Sequence, residues 1–404
     1  MGTNVLGNSV FLNLFQVVPL GMRIGINASF LRKPGTGIGQ VTFNFLEKLK
    51  EFSKDGSVEF YIYSEEALSE QYPANFHNKH FLPFWKRDDL IRKMLWEKQV
   101  AREARKDGCD AFISLYQSST IVSPGMKHIM VVHDIIPKLF PEYQGNLRQK
   151  WYWQAVERGI RQAQRIVAVS QATKKDLSLL SISQEKISVA YPDTALCFHE
   201  AITLEEENRV MATYGLVPGY LYHGGGLEIR KNTEALLRAY AQLVEDEKNG
   251  TLNTLLPPLV ISGKIFPESN PLATPVKTLV RSLGLVERVR LLDFVPEQDL
   301  PALYKNALFF IYPSRYEGFG LPVVEALRVG TPILTSNISS LPEVVGNAGL
   351  LIDPDNQASL IAGMKQLLTN ASLRATLGEA TKEQREHFDW HRFVTTVLAI
   401  SQKD

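Results

Sequence analysis

The chain has 404 residues, enough for two or three domains, and two of roughly 190 residues is the usual division. Hydrophobic residues make up 45% and charged residues 22%, the balance of a folded chain, so disorder is not expected. A net charge of +1 gives no general attraction to nucleic acid, and two cysteines, Cys109 and Cys197, are too few for a four-thiolate metal cluster or a disulfide framework.

The cysteines read as reduced thiols of a cytoplasmic protein. No run of about 18 apolar residues occurs, so no spanning helix is expected. Residues 1–21 contain SVFLNLFQVVPLG, apolar like a signal core but without a basic start or an Ala-x-Ala site. They read as an added or poorly ordered leader, with a membrane-contacting segment as the alternative.

From Met22 the chain alternates short apolar strands with helices. RIGIN (23–27), VEFYIYS (58–64), DAFISL (110–115), HIMVVHD (128–134), RIVAVS (165–170) and KISVAYPD (186–193) read as strands. Helices are expected over 41–52, 89–106, near 146–164 and after Ser170. The second half repeats the pattern, with strands at 219–225, 257–264, 288–294, 308–314 and 331–336. Helices fall from about 232 and near 273–284, 299–305, 322–329, 356–370 and 388–402. Strands alternating with helices argue for parallel βαβ units. The expected divisions are a leader (1–21), a first domain (22–195), a second domain (196–385) and a C-terminal helix segment (386–404) packing back on the first. The stretch 193–215 reads as a Glu-rich linker. Two such domains facing across a cleft place ligands beyond the carboxyl ends of the strands.

SRYEGFGLPVVEA (314–326) carries the most chemistry. Gly318 and Gly320 let the backbone approach a ligand. Pro322 suits the first position of a helix. Free N–H groups near Gly320, Leu321 and Val323, backed by the helix dipole, make a phosphate site. Glu317 and Glu325 flank it. They are either solvated charges or acceptors for hydroxyl groups, and a ligand anionic in its middle and hydroxyl-rich at both ends, such as a nucleotide-sugar, fits the second reading.

EGFGLPVVEA resembles the Glu-x7-Glu motif of the retaining glycosyltransferase family 4, and the resemblance extends over GTGIGQVTFNFL (35–46), HDIIPKLFPE (133–142), YHGGGLEIRKN (222–232), the approach VPEQDLPALYKNALFFIYPSRY and SNISSLPEVVGNAGLLIDP (336–354). It implies the GT-B fold, two doubly wound Rossmann-like α/β domains. It further implies that Glu325 binds ribose, that Glu317 and His133 contact the donor sugar, and that Arg230 and Lys231 neutralise the departing diphosphate. Gly37, Gly39, Gly225, Gly226, Val295, Gly318, Phe319, Gly320 and Leu321 would line the nucleotide-sugar site. No Asp-x-Asp lies near it, so neither metal nor cofactor is expected beyond the donor. Gly226 stands where many relatives carry Arg, and Arg230 would take that role.

Asp134 either orients His133 or caps the next turn, and Ser170 and Lys174 are weaker candidates. Neither glycine loop completes G-x-G-x-x-G: the third position is Thr42 or Ile229, which weakens a hydride-transfer reading. Residues 84–107 hold eight Lys or Arg among apolar anchors and five acidic residues, either an ordinary helix with a solvated face or a contact for an anionic membrane or an acidic acceptor. Trp151 and Trp153 either stack on sugars or pack in the core. The expected activity is transfer of a hexose from a UDP-glucose or GDP-mannose class donor to a glycan or lipid-linked oligosaccharide. The alternatives are a nucleotide-sugar epimerase of the same fold and a nucleotide-sugar-binding protein without catalysis.

Overall fold

The computed structural model describes residues 21–53, 58–65, 67–68, 72–81, 85, 87 and 89–402. The leader expected over 1–21 therefore lies outside the described residues, apart from Gly21.

Seven parallel strands form the first sheet: β1 (Met22–Asn27), β2 (Val58–Ser64), β3 (Phe76–His80), β4 (Ala111–Ser114), β5 (Lys127–Val132), β6 (Arg165–Ala168) and β7 (Ile187–Val189). Their spatial order is β3-β2-β1-β4-β5-β6-β7. The helices of this half are α1 (Gly37–Leu49), α2 (Leu90–Lys106), α3 (Ile136–Leu139), α4 (Leu147–Gln162) and α5 (Gln171–Asp176). After α6 (Leu204–Tyr214) a second parallel sheet of six strands follows, in the order β10-β9-β8-β11-β12-β13. It comprises β8 (Tyr220–His223), β9 (Leu259–Ser262), β10 (Val289–Asp293), β11 (Ala307–Tyr312), β12 (Ile333–Ser336) and β13 (Gly349–Ile352). Its helices are α7 (Thr233–Lys248), α8 (Val276–Ser282), α9 (Leu300–Lys305), α10 (Leu321–Val329), α11 (Leu341–Val345), α12 (Gln357–Thr369) and α13 (Ala371–Gln384), and α14 (Trp390–Ala399) ends the chain.

Both sheets are doubly wound, as expected. Central strands such as β4 and β8 are buried at every position, because helices cover both faces. The strand order reverses between β1 and β4 and between β8 and β11. The loops leaving those strands border the crevice where such sheets take ligands.

Several local expectations need correction. Two of the four edge strands, β3 and β13, escape the sequence reading; Phe76 is the one buried residue of β3 and Ile352 of β13. The supposed linker contains α6, started by a capping box in which Thr203 and Glu206 bond each other's backbone N–H. Helix α1 begins at Gly37 rather than 41, capped by the Thr36 hydroxyl accepting from the Gly39 N–H. The glycines therefore form a helical first turn rather than a loop.

The two halves meet through apolar and polar contacts. Helix α14 lies on α1, with Phe45 and Phe393 edge-to-face at 6.2 Å between ring centres. Burying such a ring contributes about 1.5–3 kcal/mol. The Trp390 indole donates to the Thr194 carbonyl at 2.8 Å. Across the crevice the Glu343 carboxylate accepts from the N–H groups of Gln171 (3.0 Å) and Ala172 (2.9 Å) and from the Tyr191 hydroxyl (2.9 Å).

Candidate active site

The turn after β8 is Gly224-Gly225-Gly226, with positive φ at Gly225 (93°) and Gly226 (103°). A β-carbon on Gly225 would lie 2.5 Å from the Pro322 ring, so only glycine lets this turn abut the start of α10. The chain then makes one tight turn through Ile229–Lys231, and Asn232, at φ 62°, leads into α7. This places Arg230 and Lys231 beside the end of β11.

Glu317 receives both cations on one oxygen. Its Oε1 lies 2.8 Å from the Arg230 guanidinium and 2.8 Å from the Lys231 ammonium. The same oxygen accepts from the Tyr312 hydroxyl at 2.9 Å and the Ser314 hydroxyl at 2.7 Å, and Lys231 also donates to Tyr312. Burial pushes the Glu317 carboxyl upward, but Arg230 and Lys231 outweigh it and hold it at about 2. Burial, reinforced by neighbouring Arg230, lowers Lys231. Burial also works against the Arg230 charge, but Glu317 reverses that and raises it.

Glu325, eight residues on, is buried on α10 and makes no ion pair among the described residues, although the Lys231 charge acts on it from a distance. The Tyr304 hydroxyl from α9 donates to its Oε2 at 2.7 Å. Burial pushes its carboxyl up to about 7; the Tyr304 bond opposes this and the Glu297 charge adds to it. Helix α10 opens at Leu321, whose N–H lies in the unsatisfied first turn, with Gly320 at φ 107° as its cap. Pro322 is therefore the second helical residue rather than the first, and the Val323 N–H donates to the Gly320 carbonyl at 2.9 Å, so it is not free.

The first lobe closes over this loop. A β-carbon on Gly318 would lie 1.8 Å from the His133 carbonyl oxygen, and one on Gly37 would lie 3.6 Å from the Leu321 side chain. The Gly318 carbonyl accepts from the hydroxyls of Ser170 (2.5 Å) and Thr173 (2.9 Å). His133 donates from Nε2 to the Leu115 carbonyl at 2.9 Å, and burial lowers its pKa, keeping the ring neutral. Asp134 accepts from the Ile136 N–H at 3.0 Å, so it caps the next turn. Phe319 is buried here and stacks on Tyr191 with ring centres 6.1 Å apart; Val295 is buried in the loop after β10.

Arg230, Lys231, Glu317, Glu325, Gly225, Gly318, Leu321, Gly37 and the His133 backbone thus converge. Lys174 does not: its ammonium donates to the Ile187 carbonyl, in β7. Trp153 is core, while Trp151 is 71% exposed and lines a separate groove of about 830 Å³ between α2 and α4. The expected basic face of α2 is partly spent inward. Arg92 pairs with Glu65, and Lys93 lies over the rings of Tyr116 (4.8 Å) and Tyr152 (5.1 Å). Sequence reading missed Tyr304, Tyr312 and Ser314. Tyr312 ends β11 and Ser314 follows two residues later, a weak signal; Tyr304 gave none.

Two family models match the chain: Glycosyltransferase Family 4 over residues 35–192 and Glycosyl transferases group 1 over residues 218–384. The chain is 31% identical over 274 residues to the O-antigen chain mannosyltransferase B of Escherichia coli, covering 67% of this chain and 68% of that protein. It is 30% identical over 282 residues to the serotype-specific mannosyltransferase WbdA of Escherichia coli, covering 68% of this chain but 33% of WbdA. WaaG, a glycosyltransferase involved in lipopolysaccharide biosynthesis, has a similar structure, with a TM-score of 0.71 at 15% identity over 94% of this chain and 100% of WaaG. Anabaena HepE, solved in complex with UDP-glucose, gives a TM-score of 0.67 at 17% identity over 94% of this chain and 97% of HepE. The chain has the GT-B fold and belongs to glycosyltransferase family 4 (group 1).

Proposed function

We propose that the protein is a retaining hexosyltransferase of polysaccharide or cell-envelope assembly. It moves a hexose from a nucleoside-diphosphate sugar to a glycan or lipid-linked oligosaccharide. Residues 22–195 would form the acceptor-side lobe and 196–385 the donor lobe, with 386–404 returning to the first. The observation that carries this reading is the meeting of Arg230, Lys231 and Glu317 beside the open first turn of α10. The mannosyltransferase relatives support a GDP-mannose class donor, and the HepE complex supports a UDP-glucose class donor.

In this reading the diphosphate lies at the α10 N-terminus. Arg230 and Lys231 meet the charge that grows as the bond from the sugar's anomeric carbon to phosphate oxygen breaks. The acceptor oxygen bonds that carbon on the same face, and its proton passes to the leaving phosphate. Glu317 stays ionised and has four donors on Oε1, which suits it to positioning a sugar hydroxyl rather than to nucleophilic attack. Glu325 accepts the ribose hydroxyls. Neutral His133, its Nε2 hydrogen committed to Leu115, offers Nδ1 to the donor sugar. Catalysis rests on positioning and electrostatics.

We further place the protein in the cytoplasm, touching the inner membrane face through the groove between α2 and α4. Met94, Ile121 and Trp151 give it exposed apolar surface. Lys98, Arg102 and Arg158 line it without an acidic partner among the described residues. No helix among the described residues is long and apolar enough to cross a membrane.

A thermal-shift screen with UDP, GDP and ADP tests the donor-site reading. The matching diphosphate raises the melting temperature, by about 2.7 kcal/mol of added stability at 100 times its dissociation constant. No shift with any of the three contradicts it.

A further inference from the structure

Two polar atoms near the cations are buried without a hydrogen-bond partner among the described residues: Glu228 Oε2 and the Tyr143 hydroxyl. Most buried polar atoms in folded proteins have a partner, so each orphan needs an explanation; these are two of eight such atoms among the described residues, and they are set apart by their place beside the Arg230 and Glu317 charges. They come from opposite halves of the molecule. Glu228 sits in the turn between β8 and α7, two residues before Arg230. A β-carbon at position 226 would lie 2.6 Å from its Oε2, so the carboxylate lies against the Gly226 backbone. Tyr143 lies in a short helical turn, Pro141–Gln144, of the first half. Its ring is 6.3 Å from Phe140, which packs at 5.6 Å against Tyr316. The Tyr316 carbonyl in turn accepts from Arg230 at 3.0 Å.

We propose that Glu228 and Tyr143 form a subsite, closed from both lobes, that takes hydroxyl groups of the donor's hexose. The chemistry selects a neutral polyol. An anion is repelled by the Glu228 carboxylate, and a metal cation is repelled by Arg230 beside it. A carboxylate oxygen accepts from a hydroxyl. Burial, with the Glu228 and Glu317 charges adding to it and Arg230 opposing, pushes the Tyr143 phenol up to about 12, so it stays protonated and donates at neutral pH. A sugar bearing adjacent hydroxyls satisfies both. The inference rests on the glycosyl-transfer reading and assigns the part of the donor that a nucleoside diphosphate lacks.

Glu228→Gln and Tyr143→Phe test it, each checked for an unchanged melting temperature without ligand. Affinities for UDP, UDP-glucose, GDP and GDP-mannose are measured by calorimetry on wild type and variants. The expected result is an affinity for the nucleoside diphosphate that is unchanged in Tyr143→Phe and no weaker in Glu228→Gln, where a negative charge beside Arg230 is lost, with the preference for the sugar nucleotide over it falling about tenfold in both. Should one variant fold poorly, donor hydrolysis with deoxy-sugar donors is compared between wild type and the variant that folds: removing the recognised hydroxyl should lower kcat/KM about tenfold in wild type and little in the variant, and an equal loss in both overturns the proposal. An unchanged preference in both variants overturns the proposal, as does a rise confined to the acceptor KM. Wild type that binds no nucleoside diphosphate sinks the donor-site reading itself, a different outcome.

Discussion

Glu317 and Glu325 are eight residues apart, both buried, and flank one helix start, yet they sit at opposite ends of the carboxylate range. Glu317 lies in the loop after β11, where two cations and two hydroxyls converge, and it is held at about 2. Glu325 sits in the first turns of α10 with one phenol donor and no ion pair among the described residues, Lys231 acting on it only from a distance, and it rises to about 7. Burial acts on both in the same direction; partners decide the sign. One carboxylate is a fixed charge that tethers two cations. The other is an acceptor whose charge appears only near neutrality.

The two have opposite consequences for stability. Glu317, depressed below its ordinary 4.5, contributes stability that is present above that value and lost as pH falls toward 2. Glu325, raised above 4.5, contributes stability that is present below that value and lost as pH rises through about 7. Each effect is on the order of 3 kcal/mol.

The largest expected break of the contrast is Glu317→Ala. It strands Arg230 and Lys231 in a buried site and should cost about 3–5 kcal/mol of stability in urea unfolding. A loss below about 1 kcal/mol would mean the cations are not held by this carboxylate. Lys231→Ala comes next. It should lower kcat roughly 10²–10³-fold with a smaller change in donor KM, because the charge it meets grows in the transition state. Equal loss in KM alone would reassign Lys231 to ground-state binding.

Glu325→Gln sharpens the other side. It should weaken donor binding by about 1.5–3 kcal/mol, the worth of hydrogen bonds to a charged group, while flattening the stability loss between pH 4.5 and about 7. In the wild type, donor affinity should rise with pH through about 7. A flat profile would show that Glu325 does not hold the donor as a carboxylate. The smallest change is Tyr304→Phe, about 1 kcal/mol. Its hydroxyl opposes the rise in Glu325, so the midpoint of that profile should move upward.

Much of this site was legible because its parts are contiguous in the chain. Gly-Phe-Gly-Leu-Pro announces a turn entering a helix, and Arg230-Lys231 announces paired cations near a strand end. The doubly wound architecture followed from alternating buried strands and amphipathic helices. What escaped depends on distance along the chain. Tyr304 reaches Glu325 across 21 residues, and Glu343 bridges to Gln171 across 172. The edge strands β3 and β13 lack a buried run, and α6 is announced by its cap more than by its apolar pattern. The sense of the pKa contrast was equally hidden, since a one-dimensional motif does not say which glutamate meets the cations.

A co-crystal structure with UDP or GDP tests the central claim most directly. The account predicts the diphosphate at the opening turn of α10, contacting Arg230, Lys231 and the Leu321 N–H, with the ribose hydroxyls on Glu325. A nucleotide bound away from residues 317–325, with the Glu317 ion pairs undisturbed and Glu325 still bonded only to Tyr304, would contradict it.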